Sequence, residues 1–155
     1  MLSMTANRTR RDMVTATFLL DSNIISEPSK PAPNKKVLGL LTANKSVSVI
    51  AAVSYFEMLH GVLSLPDGKR KERLAAYLAE TVVPFYPFIP YDFNAAEAHA
   101  KITASLESAG RPMPLIDSQI AAVTLSRNLI LVTRNIKDFA PVQEFFLLRI
   151  ENWFA

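Results

Sequence analysis

Residues 114 to 139 read PLIDSQIAAVTLSRNLILVTRNIKDF. Leu115 to Arg127 form a small and apolar run behind Pro112 and Pro114, the reading of a helix, and LILVT (129 to 133) reads as a short buried strand. Arg134, Asn135, Ile136 and Lys137 then lead to Asp138, whose Asp-Phe pair suits a turn with an aromatic anchor. A helix that feeds straight into a buried strand predicts an alternating α/β arrangement.

The rest of the chain repeats this alternation. From Thr15 the segment TATFLLDSN has β-branched and aromatic residues ending in Asp-Ser-Asn, a buried strand running into a turn. Pro28, Pro31 and Pro33 break the chain, and Asn34 can cap a helix through Val37, Leu38 and Leu41. SVSVIA (46 to 51) reads as the second strand, and a helix is expected from Ser54 with Phe56, Leu59 and Leu63 on its inner face. Pro66-Asp67-Gly68 marks a turn before a helix over Lys69 to Glu80. TVVPFYPFIP carries three prolines, so it can supply only a short or edge strand. Asn94 is expected to open a helix over Ala95 to Ser108 that stops at Gly110, and FLLRI (146 to 150) is the last strand. The sum is a three-layer α/β/α domain with a mostly parallel sheet of four or five strands, whose sites form beyond the carboxyl ends of the strands.

Composition narrows the chemistry. The 155 residues suit one domain, and a hydrophobic half with a charged fifth is ample for a folded core. Cysteine is absent, which excludes disulfides, thiolate metal sites and a cysteine nucleophile. His60 and His99 are the only imidazoles, so a metal would rest mainly on oxygen ligands, which suit magnesium or manganese. The net charge of +3 owes much to Arg8, Arg10 and Arg11, and beyond residue 12 there remain 14 basic and 13 acidic groups. Bulk charge therefore says little about nucleic acid. The Arg10-Arg11 pair is followed by no long apolar stretch, so neither an export signal nor a membrane span is expected, and the protein reads as cytoplasmic. Residues 1 to 14 read as a flexible extension, with Met13 an alternative start, ahead of the domain at 15 to 155.

Four acids stand out, and each has a structural alternative. Asp21 directly follows a strand but is also good turn and helix-cap chemistry. Glu57 falls three residues after Ser54, the spacing of a capping box, as Glu97 does after Asn94, and Glu97 has no other support. Asp117 lies in a first helical turn, where a carboxylate favours the helix dipole by about 0.3–1 kcal/mol. What separates Asp21, Glu57, Asp117 and Asp138 from these alternatives is joint placement: parallel strand order brings all four to one sheet edge. Crowded carboxylates repel unless a divalent cation neutralises them.

FLLDSNIISE (18 to 27), SYFEMLHG (54 to 61), the run from 114 to 139 and the closing LLRIENWF (147 to 154) resemble PIN-domain nucleases, in particular the VapC and FitB type of toxin ribonuclease. The resemblance spans most of Phe18 to Phe154. It implies a ribonuclease that uses Mg2+ or Mn2+ held by Asp21, Glu57, Asp117 and Asp138. Thr133 and Asn135 match the polar pair before the last acid, and Asn23 stands beside the first. The resemblance also implies RNA as substrate, a cognate antitoxin as partner and a homodimer. Ala51 and the prolines at 84, 87 and 90 depart from the family pattern without touching an acid. Arg134, Lys137 and Arg111 are the candidate substrate cations. Two other readings compete. A receiver-type signalling domain would need an acidic pair where Leu19 and Leu20 stand, and a lysine where the last strand leads to Glu151. A PIN-like module that binds RNA or a partner without catalysis would be expected to have lost an acid, whereas all four are present.

Overall fold

The computed structural model describes residues 16–155, so the expected extension over residues 1 to 14 lies outside the described residues. The chain runs β1 (Phe18–Leu20), α1 (Ser22–Ile25), a 3-10 turn (Glu27–Ser29), α2 (Lys35–Ala43), a second 3-10 turn (Lys45–Val47), β2 (Ser48–Ala51) and α3 (Ala52–Leu63). It continues through α4 (Lys69–Tyr77), a π turn (Leu78–Val82), β3 (Phe88–Ile89), α5 (Phe93–Ser108), α6 (Leu115–Ser126), β4 (Ile130–Val132), α7 (Ile136–Gln143) and β5 (Arg149–Glu151). The sheet has five strands in the order β3-β2-β1-β4-β5, and every pairing is parallel. The proline-rich segment supplies only the two-residue edge strand β3, because a residue without an N–H cannot serve a central ladder.

Successive strand residues point to opposite faces, which divides the core in two. Leu19, Val49 and Leu131, aligned in register, enter one core with Ile102 and Leu106 of α5, Ile120 of α6 and Phe139 of α7. Leu20, Ile50 and Val132 enter the other, with Ile24 of α1, Val37 of α2, Val62 of α3 and Trp153. The short strands are buried on both faces, which is why they read as apolar runs rather than as alternating patterns.

Several local expectations change. α3 begins at Ala52, with Ala51 at its cap, so Ser54 sits inside the helix, fully buried, and no capping box joins it to Glu57. α5 is capped by Asp92, whose side chain accepts from the Ala95 N–H at 3.0 Å, rather than opened by Asn94. Phe56 and Leu63 are 57% and 60% exposed, and with His60 they share an outward face of α3 at i, i+4 and i+7. Beginning the helix two residues earlier leaves the buried side to Ser54 and Val62. The last strand covers Arg149–Glu151 rather than 146 to 150, and Leu147 is almost wholly exposed. The segment after β4 is not a simple turn: Asp138 lies in the first turn of α7, which tolerates Pro141. No helix among the described residues is long and apolar enough to cross a membrane.

Candidate metal centre

The Asp21 N–H donates to the Val132 carbonyl at 2.9 Å, carrying the chain over the carboxyl edge of the sheet beside β4. Because Leu20 is aligned with Val132, the next residue on each strand meets its counterpart, and Thr133 Oγ1 donates to Asp21 Oδ2 at 2.8 Å. The same hydroxyl accepts from the Asn135 N–H at 3.0 Å. Asn23 Nδ2 lies 3.3 Å from both Asp21 Oδ2 and Thr133 Oγ1, and Asn23 Oδ1 accepts from the Arg134 N–H at 3.0 Å. The Ser22 N–H donates to Asp21 Oδ1 at 2.8 Å, so Asp21 caps α1 as well as facing the site. The cap and the site are compatible uses of one carboxylate. Asp21, 5% exposed, is the most deeply buried of the four acids.

The other acids arrive on helices. Glu57 is carried by α3, which leaves β2 immediately, and β2 neighbours β1. Asp117 occupies the first turn of α6, the helix that returns toward β4, and Asp138 the first turn of α7. Burial pushes the carboxyl of Asp21 above its ordinary range, hydrogen bonds from Thr133, Ser22 and Asn23 oppose this, and the charge of Asp138 adds to the rise. Burial raises Glu57, reinforced by Asp21 and Asp117. Burial likewise raises Asp117, reinforced by Asp21 and Asp138. Asp21 and Asp117 thus lie within electrostatic reach of each other and of both Glu57 and Asp138.

They do not form a closed coordination shell. Among the described residues no three His, Asp or Glu side chains stand close enough to hold one ion. Convergence is therefore a shared neighbourhood, which is what mutually repelling carboxylates on four separate elements produce. None of the four takes part in an ion pair among the described residues. An oxygen-only donor set with uncompensated negative charge fits a hard divalent cation.

Both histidines are engaged elsewhere. Ser118 Oγ donates to the Leu115 carbonyl at 2.7 Å, so it accepts from His99 Nε2 at 2.8 Å, leaving Nδ1 to accept from the Tyr91 hydroxyl at 2.8 Å. That arrangement suits a neutral ring, and burial lowers the His99 pKa. His60 stacks on Phe56. Of the candidate substrate cations, Arg134 lies over the Phe154 ring at 4.5 Å and Lys137 is exposed, whereas Arg111 is paired with Glu144. Sequence reasoning missed Lys30, Arg70 and Arg73, which line a cavity of about 730 Å³ opening beside Ser22 and Glu57. No local pattern marks Arg70 and Arg73, because only the packing of α4 against α3 brings them there, whereas Lys30 directly follows the first 3-10 turn.

Thr133→Val is expected to raise the Asp21 pKa further and to cost about 1–3 kcal/mol of stability, the range for leaving a buried polar group unsatisfied. Carboxyl titration by NMR reads the first effect. An Asp21 titration unchanged from the wild type would show that Thr133 does not stabilise the charged carboxylate.

A five-stranded parallel sheet with carboxylates gathered at its carboxyl edge defines a class of α/β proteins with an acidic, oxygen-donor site. The model of the PIN domain matches residues 18–144, and the chain belongs to the PIN-domain family. It is 32% identical over 125 residues to the toxin FitB of Neisseria gonorrhoeae, covering 79% of this chain and 90% of that one. It is 33% identical over 138 residues to the tRNA(fMet)-specific endonuclease VapC of Shigella flexneri, covering 88% and 97%. The crystal structure of FitAcB from Neisseria gonorrhoeae superposes with a TM-score of 0.80 at 27% identity, covering 90% of this chain and 99% of the other. PIN-domain nucleases are generally dependent on divalent metal.

Proposed function

We infer that this protein is a metal-dependent endoribonuclease, the toxin of a toxin–antitoxin pair, with Asp21, Glu57, Asp117 and Asp138 as its catalytic acids. The observation that carries the reading is the mutual electrostatic effect of these acids at one sheet edge, in a chain of the PIN-domain family. Its relatives include the toxin FitB and the tRNA(fMet)-specific endonuclease VapC.

Asp21 and Asp117 would hold Mg2+ or Mn2+ directly, with Asp138 beside them and Glu57 joining directly or through water. A bound divalent cation supplies Lewis acidity toward water and phosphate oxygen. The chain's own residues do the positioning. Thr133 and Asn23 favour the charged form of Asp21 against the effect of burial and fix its orientation, and Asn135 joins them through Thr133. Arg134 and Lys137 contribute positive charge near the scissile phosphate. The hydrolysis needs no histidine base, consistent with the engagement of His99 by Tyr91 and Ser118.

A cognate antitoxin whose C-terminal segment crosses the acids would block this site, and a cytoplasmic location follows from the same role. The homodimer that the resemblance implies would use the outward face of α3, where Phe56 and Leu63 are exposed.

The test is incubation of the purified chain with RNA, with and without Mg2+ or Mn2+, alongside its particle mass by light scattering. Cleavage is expected only with the metal and is expected to stop on adding EDTA, with a two-chain particle in solution. Cleavage that continues in EDTA would sink the metal mechanism, and a one-chain particle would sink the dimer.

A further inference from the structure

We propose that His99 is a positioning residue for Asp117: held between Tyr91 and Ser118, it clamps the first turn of α6 and so fixes the carboxylate that this turn presents to the cation. This rests on the metal-dependent reading of the acids and adds to it a residue from a different helix, α5.

The first turn of α6 lacks the support that such a turn usually has. Its cap is Pro114, which supplies no side-chain acceptor for the N–H groups that open the helix. Leu115 is 65% exposed, so its side chain adds little packing there. Burial, and then the charges of Asp21 and Asp138, also disfavour an ionised Asp117 in this turn. Helix ends without caps fray, and fraying here would carry Asp117 away from the other acids and relieve the repulsion.

One constellation opposes this. The Ser118 N–H donates to the Pro114 carbonyl at 3.0 Å, and Ser118 Oγ donates to the Leu115 carbonyl at 2.7 Å, so one residue closes the turn twice. With its proton committed, that hydroxyl accepts from His99 Nε2 at 2.8 Å, and His99 Nδ1 accepts from the Tyr91 hydroxyl at 2.8 Å. Ser118 is buried and His99 half-buried, so water competes little for the bond between them. His99 belongs to α5, which packs along α6, and Tyr91 follows the edge strand β3, so the turn is tied to two separate elements. Ser118 is the residue next to Asp117, and a shift of the turn at one is a shift at the other. Outer partners that orient metal ligands are worth roughly 10- to 100-fold in metal affinity, and a clamp one residue removed belongs at the lower end.

The test compares Mn2+ affinity, read from the electron paramagnetic resonance of the free ion, with the melting temperature in EDTA for Ser118→Ala, His99→Leu, His99→Gln and Tyr91→Phe. Leucine removes the donor at similar volume, whereas the glutamine amide restores an N–H donor in place of Nε2. S118A and H99L should each weaken Mn2+ binding roughly tenfold at a temperature where both are fully folded. H99Q should recover most of the affinity, and Y91F, which spares the bond to Ser118, should cost less than H99L. Unchanged Mn2+ affinity in H99L and S118A, even with a lower melting temperature in EDTA, would reduce the constellation to packing and overturn the assignment. So would H99Q binding as weakly as H99L. Asp117→Asn separates this failure from that of the metal reading. If the wild type binds no Mn2+, or D117N binds it as tightly as the wild type, the metal reading itself fails. If D117N loses affinity while H99L and S118A keep it, only the clamp fails.

Discussion

Asp117→Asn is expected to reduce RNA cleavage by roughly 10²- to 10³-fold, on the scale of removing one preorganised electrostatic interaction, and to make the metal-free protein more stable. Both effects arise from one carboxylate. Burial, Asp21 and Asp138 together raise the Asp117 pKa above its ordinary 3.8, so the folded state binds more protons than the unfolded state between these two values. Stability then falls as pH rises through that window, and the full penalty is present at neutral pH. Asparagine has nearly the same shape and no charge, so it removes the penalty. Asp117 is partly solvated, which limits the gain to about 0.5–1 kcal/mol, or roughly 1–4 °C in melting temperature. In the wild type, Mg2+ or Mn2+ should raise the melting temperature through binding linkage, and in Asp117→Asn most of that increase should vanish. Thermal scans in EDTA and in metal, beside cleavage assays, read all of this. A variant that melts below the wild type in EDTA and still cleaves at the wild-type rate would remove Asp117 from the site.

Phe139→Ala should produce the largest loss of stability, about 3–5 kcal/mol. Phe139 is 1% exposed, the largest of the fully buried side chains, and packs in the core shared by α5, α6 and β4. Truncation removes a large apolar surface from the core and leaves a cavity, because α7 is held by its neighbours and cannot collapse into the space. The melting temperature should fall by roughly 6–20 °C for a chain of this size. Phe139 also anchors the helix that presents Asp138, so cleavage should fall even at temperatures where the variant remains folded. Phe139→Leu, which keeps most of the volume, should cost under about 1.5 kcal/mol. Denaturant unfolding of both variants checks this, and an alanine variant within about 1 kcal/mol of the wild type would mean that Phe139 is not the anchor of α7.

Much of the site was legible because three kinds of signal are local. Asp21 directly follows an apolar strand, Asp117 follows Pro112 and Pro114, and Thr133 directly follows LILV. Glu57 was harder to judge. Its spacing from Ser54 matched a capping box, and only the actual start of α3 at Ala52 removes that alternative. Asp138 is legible as a candidate, but its surroundings are not: Asp-Phe suggests a turn, whereas burial of Phe139 and Val142 stabilises a helix through Pro141. Phe56 and Leu63 show the opposite error. Apolar residues at helical spacing usually face the core, yet here they face outward, because helix phase depends on where the chain leaves β2.

By itself the sequence determined the α/β alternation, the mostly parallel sheet and a metal chemistry resting mainly on oxygen ligands, and its motifs gave the resemblance to the family. The first three follow from residue type and short-range spacing: apolar runs short enough for buried strands, prolines that confine a strand to an edge, and the absence of cysteine. Only the tertiary structure decided that Leu20 and Val132 stand in register, which brings Thr133 to Asp21, and that α4 packs against α3, which brings Arg70 and Arg73 to the cavity beside Glu57. Neither relation is encoded by neighbours along the chain. Each depends on which strands and helices meet, and that is set by burial of whole faces rather than by the residues that use the result.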